Sequence, residues 1–214
     1  MEIKPGRLYL LGCGPGHTDY VTPLVRQIAN NAQWLIGSPR MLELFPKSPA
    51  KRLVHERNLP ELLAQVKIFL SANQTVAWLC TGDSGFYSVA RVALKTLGHS
   101  ACICVSGISS VQVACARLGL DWSCVRMVSA HGRTPDIPIL DARTALAVLA
   151  GSLEQFPFLL ESARMWQPTH RLYACADLTL DTEVIQEIVP EEIEDWVSHP
   201  RVIFLWVPRE EIYA

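Results

Sequence analysis

The stretch LYLLGCGPGHTDYVTP, residues 8–23, decides how the chain reads. An unbroken apolar run closes on Gly12, Gly14 and Gly16, and five polar or mixed residues follow before Thr22-Pro23. Unbroken apolar strands belong to sheets covered on both faces, so a parallel sheet flanked by helices is expected. Thr22 reads as a helix N-cap and Pro23 as a first-turn residue. A glycine loop after a buried strand invites comparison with phosphate-binding loops, and two such motifs fail. The third glycine of a dinucleotide fingerprint is His17, and no acid stands about 20 residues on, where Leu35-Ile36-Gly37-Ser38 ends the second strand. A P-loop needs Gly-Lys-Ser/Thr, which is absent. The loop suits close approach of a bulky ligand to the backbone rather than a cradle for phosphates.

Outward from this segment, strand-like and helix-like runs alternate. Strands are expected near 7–12, 33–36, 51–54, 75–80 and 100–105, with helices near 22–32, 38–45, 59–71, 86–97 and 108–118. Gly119 closes the last helix. The stretch 119–138 breaks the alternation with a Trp, an HGR triplet and two prolines, which divides the chain into domains 1–118 and 119–214. Strands near 125–129, 145–150, 171–176, 183–188 and 201–207 and helices near 154–166 and 190–197 follow. Strands this closely spaced imply a mixed sheet with antiparallel pairs. The expected fold class is therefore α/β, with two α/β domains: the N-terminal one carries a mainly parallel sheet and the C-terminal one a mixed sheet.

Three glycine-bearing segments each follow a predicted strand of the first domain: Gly12 to Gly16, Thr81 to Gly85 and Ser106 to Ser110. In a parallel sheet such loops emerge at one carboxyl-end rim, where open α/β sheets bind ligands. Asp83 is either an N-cap of a helix beginning near Phe86 or an acceptor for a ligand's ammonium or hydroxyl groups. Phe86 and Tyr87 are core or pocket lining, and Ser109 and Ser110 are caps or ligand contacts.

Composition bounds the function. The longest apolar runs fall far short of the roughly 20 residues of a membrane span, and the first residues lack a secretory leader, so a cytoplasmic protein is expected. Seven cysteines lie mostly in apolar patterns, which reads as buried thiols in a reducing compartment; Cys102 and Cys104 share a strand face but have no companion ligands for a metal. Residues 1–117 carry a net +6 and residues 118–214 a net −8, with every lysine in the first part. That asymmetry is too mild and unclustered for a nucleic-acid surface but suits a small polyanionic substrate.

Taken in order, GCGPGHTDYVT, TGDSGFY and SGISSVQ resemble the tetrapyrrole methylases, the class III methyltransferases, whose motifs are written GxGPGxxxxLT, GDPxxY and PGISS. SGISSVQVACARLGLDW followed by VSAHGR resembles the branch that methylates C5 of precorrin or cobalt-precorrin, with its Ser-Leu-His-Gly-Arg run; FPKSPAKRL and RVIFLWVPRE extend the likeness over essentially the whole chain. Four departures stand out: Ser84 and Ser106 replace prolines, and Val21 and Ala130 replace leucines. They read as a loosening of backbone restraint, since proline mainly fixes φ.

The resemblance implies a homodimeric enzyme holding S-adenosylmethionine in the cleft between its domains. The cofactor contacts it carries over are Gly14, Pro15, Asp83, Phe86, Ser109 and Ser110, with Leu149 and Ala176 from second-domain strands. It implies transfer of a methyl group to a tetrapyrrole, with no metal, no nucleic acid and no membrane. A separate C15-methylating decarboxylase is a partner implied by the same branch. His131 and Arg133 are the expected catalytic residues: Arg133 pairs a carboxylate arm of the tetrapyrrole bidentately, and His131 accepts the proton lost after methylation; the alternative is a surface turn with a structural histidine. Two other readings stand beside this one: a methyltransferase of the same fold acting on another corrinoid carbon or another substrate, and a ligand-binding subunit without catalysis of its own.

Overall fold

The computed structural model describes residues 2–55, 58–130, 143–150, 153–197 and 199–209. The first part alternates strand and helix as β1 (Leu8–Gly12), α1 (Pro23–Asn31), β2 (Trp34–Gly37), α2 (Pro39–Glu43), β3 (Lys51–Val54), α3 (Leu59–Ser71), β4 (Val76–Cys80), α4 (Ala90–Leu97) and β5 (Cys102–Val105). The five strands form one sheet in the order β3-β2-β4-β1-β5, with every pair parallel. β1 and β4 are buried along their whole length, as central strands covered on both faces must be.

Side chains alternate across the sheet and meet different helices. Tyr9, Leu11, Leu35, Ala77 and Leu79 pack with Val25, Ile28 and Ala29 of α1 and Met41 and Leu42 of α2. Leu8, Leu10, Ile36, Val76 and Trp78 pack with Leu62, Leu63 and Val66 of α3 and Ala90 and Ala93 of α4. α1 begins as the sequence predicts: Thr22 Oγ1 accepts the Val25 amide at 3.3 Å, and Pro23 occupies the first turn.

α4 begins four residues later than expected. Tyr87 has φ 45°, in the left-handed region that stops a helix, and Ser88 Oγ accepts the Ala90 amide at 3.1 Å to start the helix there.

The chain divides into two compact units, Met1–Ser109 and Ser110–Ala214. The second opens with α5 (Ser110–Leu118) and continues as β6 (Val125–Ser129), β7 (Ala145–Leu149), α6 (Phe156–Trp166), β8 (His170–Ala176), β9 (Val184–Ile188), α7 (Ile193–Val197) and β10 (Val202–Pro208). The expected helix at 190–197 is a 3-10 turn, Pro190–Glu192, leading into the short α7. The sheet order is β6-β7-β10-β8-β9; β6 and β7 are parallel and the other pairs antiparallel, which is the mixed sheet expected. Phe204 and Trp206 of β10 pack with Leu146, Val148, Leu172 and Ala174 against Leu159, Ala163 and Trp166 of α6 and Ile193 and Val197 of α7. Among the described residues no helix is long and apolar enough to cross a membrane.

Cys13, Cys80, Cys102, Cys115 and Cys175 are buried, and Cys104 and Cys124 are exposed. Burial pushes the Cys80 and Cys175 thiols up to about 12 and those of Cys102 and Cys115 to about 11, because a thiolate loses its hydration there. Burial and, secondly, the charge of Asp83 also raise Cys104. Iodoacetamide at neutral pH is therefore expected to label Cys104 and Cys124 in the native protein, Cys104 more slowly than an ordinary thiol, and the other five only in denaturant. Peptide mapping by mass spectrometry reads this directly; labelling of Cys13 or Cys175 without denaturant contradicts the packing described.

Candidate functional site

Because β4, β1 and β5 are neighbours in the first sheet, the segments leaving their carboxyl ends are neighbours too. Gly14 and Gly82 form an antiparallel bridge: the Gly14 amide donates to the Gly82 carbonyl at 3.1 Å, and the Gly82 amide to the Gly14 carbonyl at 2.8 Å. Both residues have positive φ, 77° and 69°, which glycine adopts without a Cβ penalty. The third segment comes closer still. A Cβ on Gly107 would lie 2.3 Å from the Gly82 carbonyl oxygen and 2.5 Å from that of Gly12, so backbone meets backbone with no room for a side chain.

Asp83 clasps this junction. One carboxylate oxygen accepts the Gly85 amide at 2.7 Å, and the other accepts the Gly107 amide, 24 residues away, at 2.8 Å. Asp83 is thus no N-cap for α4, which starts seven residues later; its hydrogen bonds close a local turn and hold the second and third segments together. Each oxygen retains acceptor capacity beyond its one backbone partner, since an ionised carboxylate offers about four lone-pair sites. Ser84, expected to loosen the loop in place of a proline, instead restrains it: its hydroxyl donates to the Val105 carbonyl at 3.0 Å and is buried.

The predicted contacts of the first unit meet on this rim. Gly14 is buried beside Gly82 and Tyr20, Pro15 is buried, Asp83 and Phe86 are half-buried, and Ser109 is buried with its Cα 3.7 Å from where a Cβ of Gly82 would stand. Phe86 packs edge-on against Tyr87, with ring centroids 4.7 Å apart. Ser110 is the first residue of α5.

In the second unit Leu149 and Ala176 end the two strands that flank β10, paired with its adjacent residues Ile203 and Val202, so they occupy one end of that sheet. Ser129, the last residue of β6, pairs with Leu149. His131 and Arg133 lie outside the described residues.

The segment after Ala176 carries features that the sequence reading passed over. Asp177 and Thr179 have φ 51° and 74°. Positive φ is unusual for a non-glycine and exceptional for a β-branched residue, at a cost of about 1–3 kcal/mol each, so surrounding contacts must impose it. Asp177 pairs with Arg201, lies 3.5 Å from His199 Nε2 and accepts the Thr182 hydroxyl at 2.9 Å. Glu183 accepts the Thr179 amide at 2.6 Å and the Arg117 Nε–H at 2.7 Å. These bonds, charge-assisted by Arg117, hold the Glu183 carboxyl below its usual range. No local signal in the sequence joins these residues, which are spread from Arg117 to Arg201.

The rim is built of backbone, small residues and one carboxylate. Among the described residues no group of three or more His, Cys, Asp and Glu is placed to hold a metal ion.

The model of the Tetrapyrrole (Corrin/Porphyrin) Methylases matches residues 7–194 of the chain. The chain belongs to this family and is a methyltransferase. It is 30% identical over 185 residues to a protein of Methanocaldococcus jannaschii named as a probable cobalt-precorrin-7 C(5)-methyltransferase, over 83% of this chain and 87% of that one. Its fold is that of the precorrin-6Y methylase of Archaeoglobus fulgidus, with a TM-score of 0.73 at 22% identity over 96% of this chain and 100% of that one. The uroporphyrin-III C-methyltransferase of Thermus thermophilus, crystallised with S-adenosylhomocysteine, shares the fold with a TM-score of 0.74 at 19% identity over 94% of this chain and 97% of that one.

Gly107→Ala is expected to lower the thermal unfolding midpoint and to cost about 1–3 kcal/mol or more, because the added methyl meets carbonyl oxygens that cannot move independently. Gly85→Ala, whose Cβ would meet only the Asp83 side chain at 3.0 Å, serves as control and should cost less. Calorimetric unfolding of the two variants checks the order; equal losses would remove the Gly107 contact from the account.

Proposed function

We propose that this methyltransferase takes its methyl group from S-adenosylmethionine and delivers it to C5 of a precorrin or cobalt-precorrin, as a step of corrin biosynthesis. The observation that carries the reading is the junction of Gly12, Gly14, Gly82 and Gly107 under the Asp83 clasp, where three loops pack backbone against backbone at the end of a parallel sheet. Support for C5 comes from the Methanocaldococcus relative and from the HGR run at residues 131–133.

The residues present suit the donor. Gly14 and Pro15 would offer close backbone approach, Asp83 the acceptor for an ammonium or ribose hydroxyl, and Phe86 an apolar face; Ser109, Ser110, Leu149 and Ala176 would complete the contacts. When bound, S-adenosylmethionine supplies an electrophilic methyl group on a sulfonium. The protein's own part is to align the reactants and exclude water, so no nucleophilic or paired-acid machinery is required of it. Arg133 holds a carboxylate arm of the macrocycle, and His131 takes the proton released from the methylated carbon. The family resemblance adds a homodimer and a separate C15-methylating decarboxylase as partner.

The test is incubation of the purified chain with isotopically labelled S-adenosylmethionine and precorrin or cobalt-precorrin substrates, with mass spectrometry and NMR to locate the methyl group. One methyl gain at C5, without a partner protein, is expected; a gain at another carbon overturns the regiochemistry, and no gain with intact cofactor binding favours a ligand-binding subunit. Arg133→Ala should weaken tetrapyrrole binding at least tenfold more than cofactor binding, on the order of one charge-assisted pair. Equal losses in calorimetry would reject its assignment.

A further inference from the structure

The loop that follows β8 is held in a strained shape by Glu183 at its far end, whose carboxylate also grips Arg117 of α5. Asp177 and Thr179 both adopt positive φ, and the segment is closed by the Leu180 amide donating to the Asp177 carbonyl and the Glu183 amide to the Leu180 carbonyl, both at 2.9 Å. Strain of this kind survives only where the surroundings over-determine the backbone, and it concentrates where geometry matters for function. Here Glu183 supplies the restraint. Its Oε2 accepts the Thr179 amide at 2.6 Å, while its Oε1 accepts Nε–H of Arg117 at 2.7 Å, with Arg117 Nη2 3.5 Å from Oε2. One carboxylate therefore ties the loop after Ala176 to α5, the helix that Ser110 begins. The Glu183 side chain is 22% exposed against 43% for Arg117, so the pair is partly sheltered from solvent on the carboxylate side.

We propose that Glu183 is a positioning residue for the methyl donor: by gripping the Thr179 amide and the Arg117 guanidinium together, it fixes the loop adjoining Ala176 in register with α5. The inference rests on the S-adenosylmethionine reading above, in which Ala176 and Ser110 are donor contacts. Glu183 touches neither reactant; it acts through the backbone at residues 177–179. A partly exposed ion pair contributes little to global stability, whereas a displaced contact shell costs affinity steeply. Its removal should therefore register on donor binding far more than on unfolding.

The experiment is titration calorimetry of the 214-residue chain with S-adenosylhomocysteine, beside thermal unfolding, for wild type, Glu183→Ala, Glu183→Gln and Arg117→Ala. Glu183→Ala is expected to weaken binding roughly tenfold, in line with misplacement of a contact, with the unfolding midpoint nearly unchanged. Glu183→Gln has a single acceptor oxygen, so serving the Thr179 amide turns its NH2 donors toward Arg117, and the variant should fall between. In turnover assays the loss should appear in KM for S-adenosylmethionine and leave KM for the tetrapyrrole unchanged. Wild-type affinity in both Glu183 variants, or equal loss for both substrates accompanied by a large drop in midpoint, overturns the positioning role. Should Glu183→Ala fail to fold, Glu183→Gln and Arg117→Ala carry the same test. Absence of binding by the wild-type chain overturns the donor reading and this inference with it, and so is distinguished from failure of the variants alone.

Discussion

Everything at the rim of the first unit depends on how near three stretches of backbone approach one another. The Gly107 Cα stands where any side chain would collide with the carbonyls of Gly12 and Gly82, and the Asp83 carboxylate pulls the Gly107 amide into that position. This contact requires the strand order β4-β1-β5, because only adjacent parallel strands deliver their carboxyl-end loops side by side. It also requires glycine on each strand's exit, so the spacing of glycines in the chain and the topology of the sheet are two statements of one constraint. The apolar strands beneath it, buried without exception in β1 and β4, give the junction a base that cannot shift without opening the core.

Much of this was legible beforehand, for a local reason. Unbroken apolar runs such as LYLLG and VAWLC announce strands buried on both faces, and Thr22-Pro23 announces a helix start, because those signals lie within a few residues of what they specify. The convergence of the three glycine segments was legible too, since parallel alternation places all such loops at one end. What escaped was tertiary. Asp83 looks like a helix cap from its neighbours, yet its second oxygen serves an amide 24 residues away. Tyr87 in a left-handed conformation delays α4, and nothing in SGFYSVA marks it, because tyrosine has no propensity for that region. Ser84 looked like a loss of restraint where a proline might stand; its hydroxyl bond to Val105 substitutes a tertiary tie for a covalent one.

The acidic residues between Asp181 and Asp195 divide by role once placed. Glu183 and Glu192 are structural, the first through Thr179 and Arg117, the second by accepting the Val189 amide at 2.9 Å ahead of α7. Glu187 lies on β9, the edge strand of its sheet, where it also accepts the Tyr173 hydroxyl at 3.3 Å. Charges on an exposed edge oppose pairing with another chain, so the same composition that lowers the net charge of this half also guards its open strand.

The glycine rim of the first unit and the loop after β8 use opposite means to hold a backbone in the left-handed region. At Gly14 and Gly82 the chain gives up side chains, so the conformation is free of steric cost and neighbouring backbone can approach closely. At Asp177 and Thr179 it keeps side chains, accepts the cost, and offsets it with Arg201, Thr182 and Glu183. The first solution makes room; the second makes a shape that is rigid because several independent groups agree on it. A methyltransferase has use for both, since its rate depends on alignment of two reactants more than on proton traffic. Alignment is a property that hydrogen-bonded backbone supplies better than mobile side chains. In both loops a carboxylate holds a backbone amide in place, Asp83 that of Gly107 and Glu183 that of Thr179.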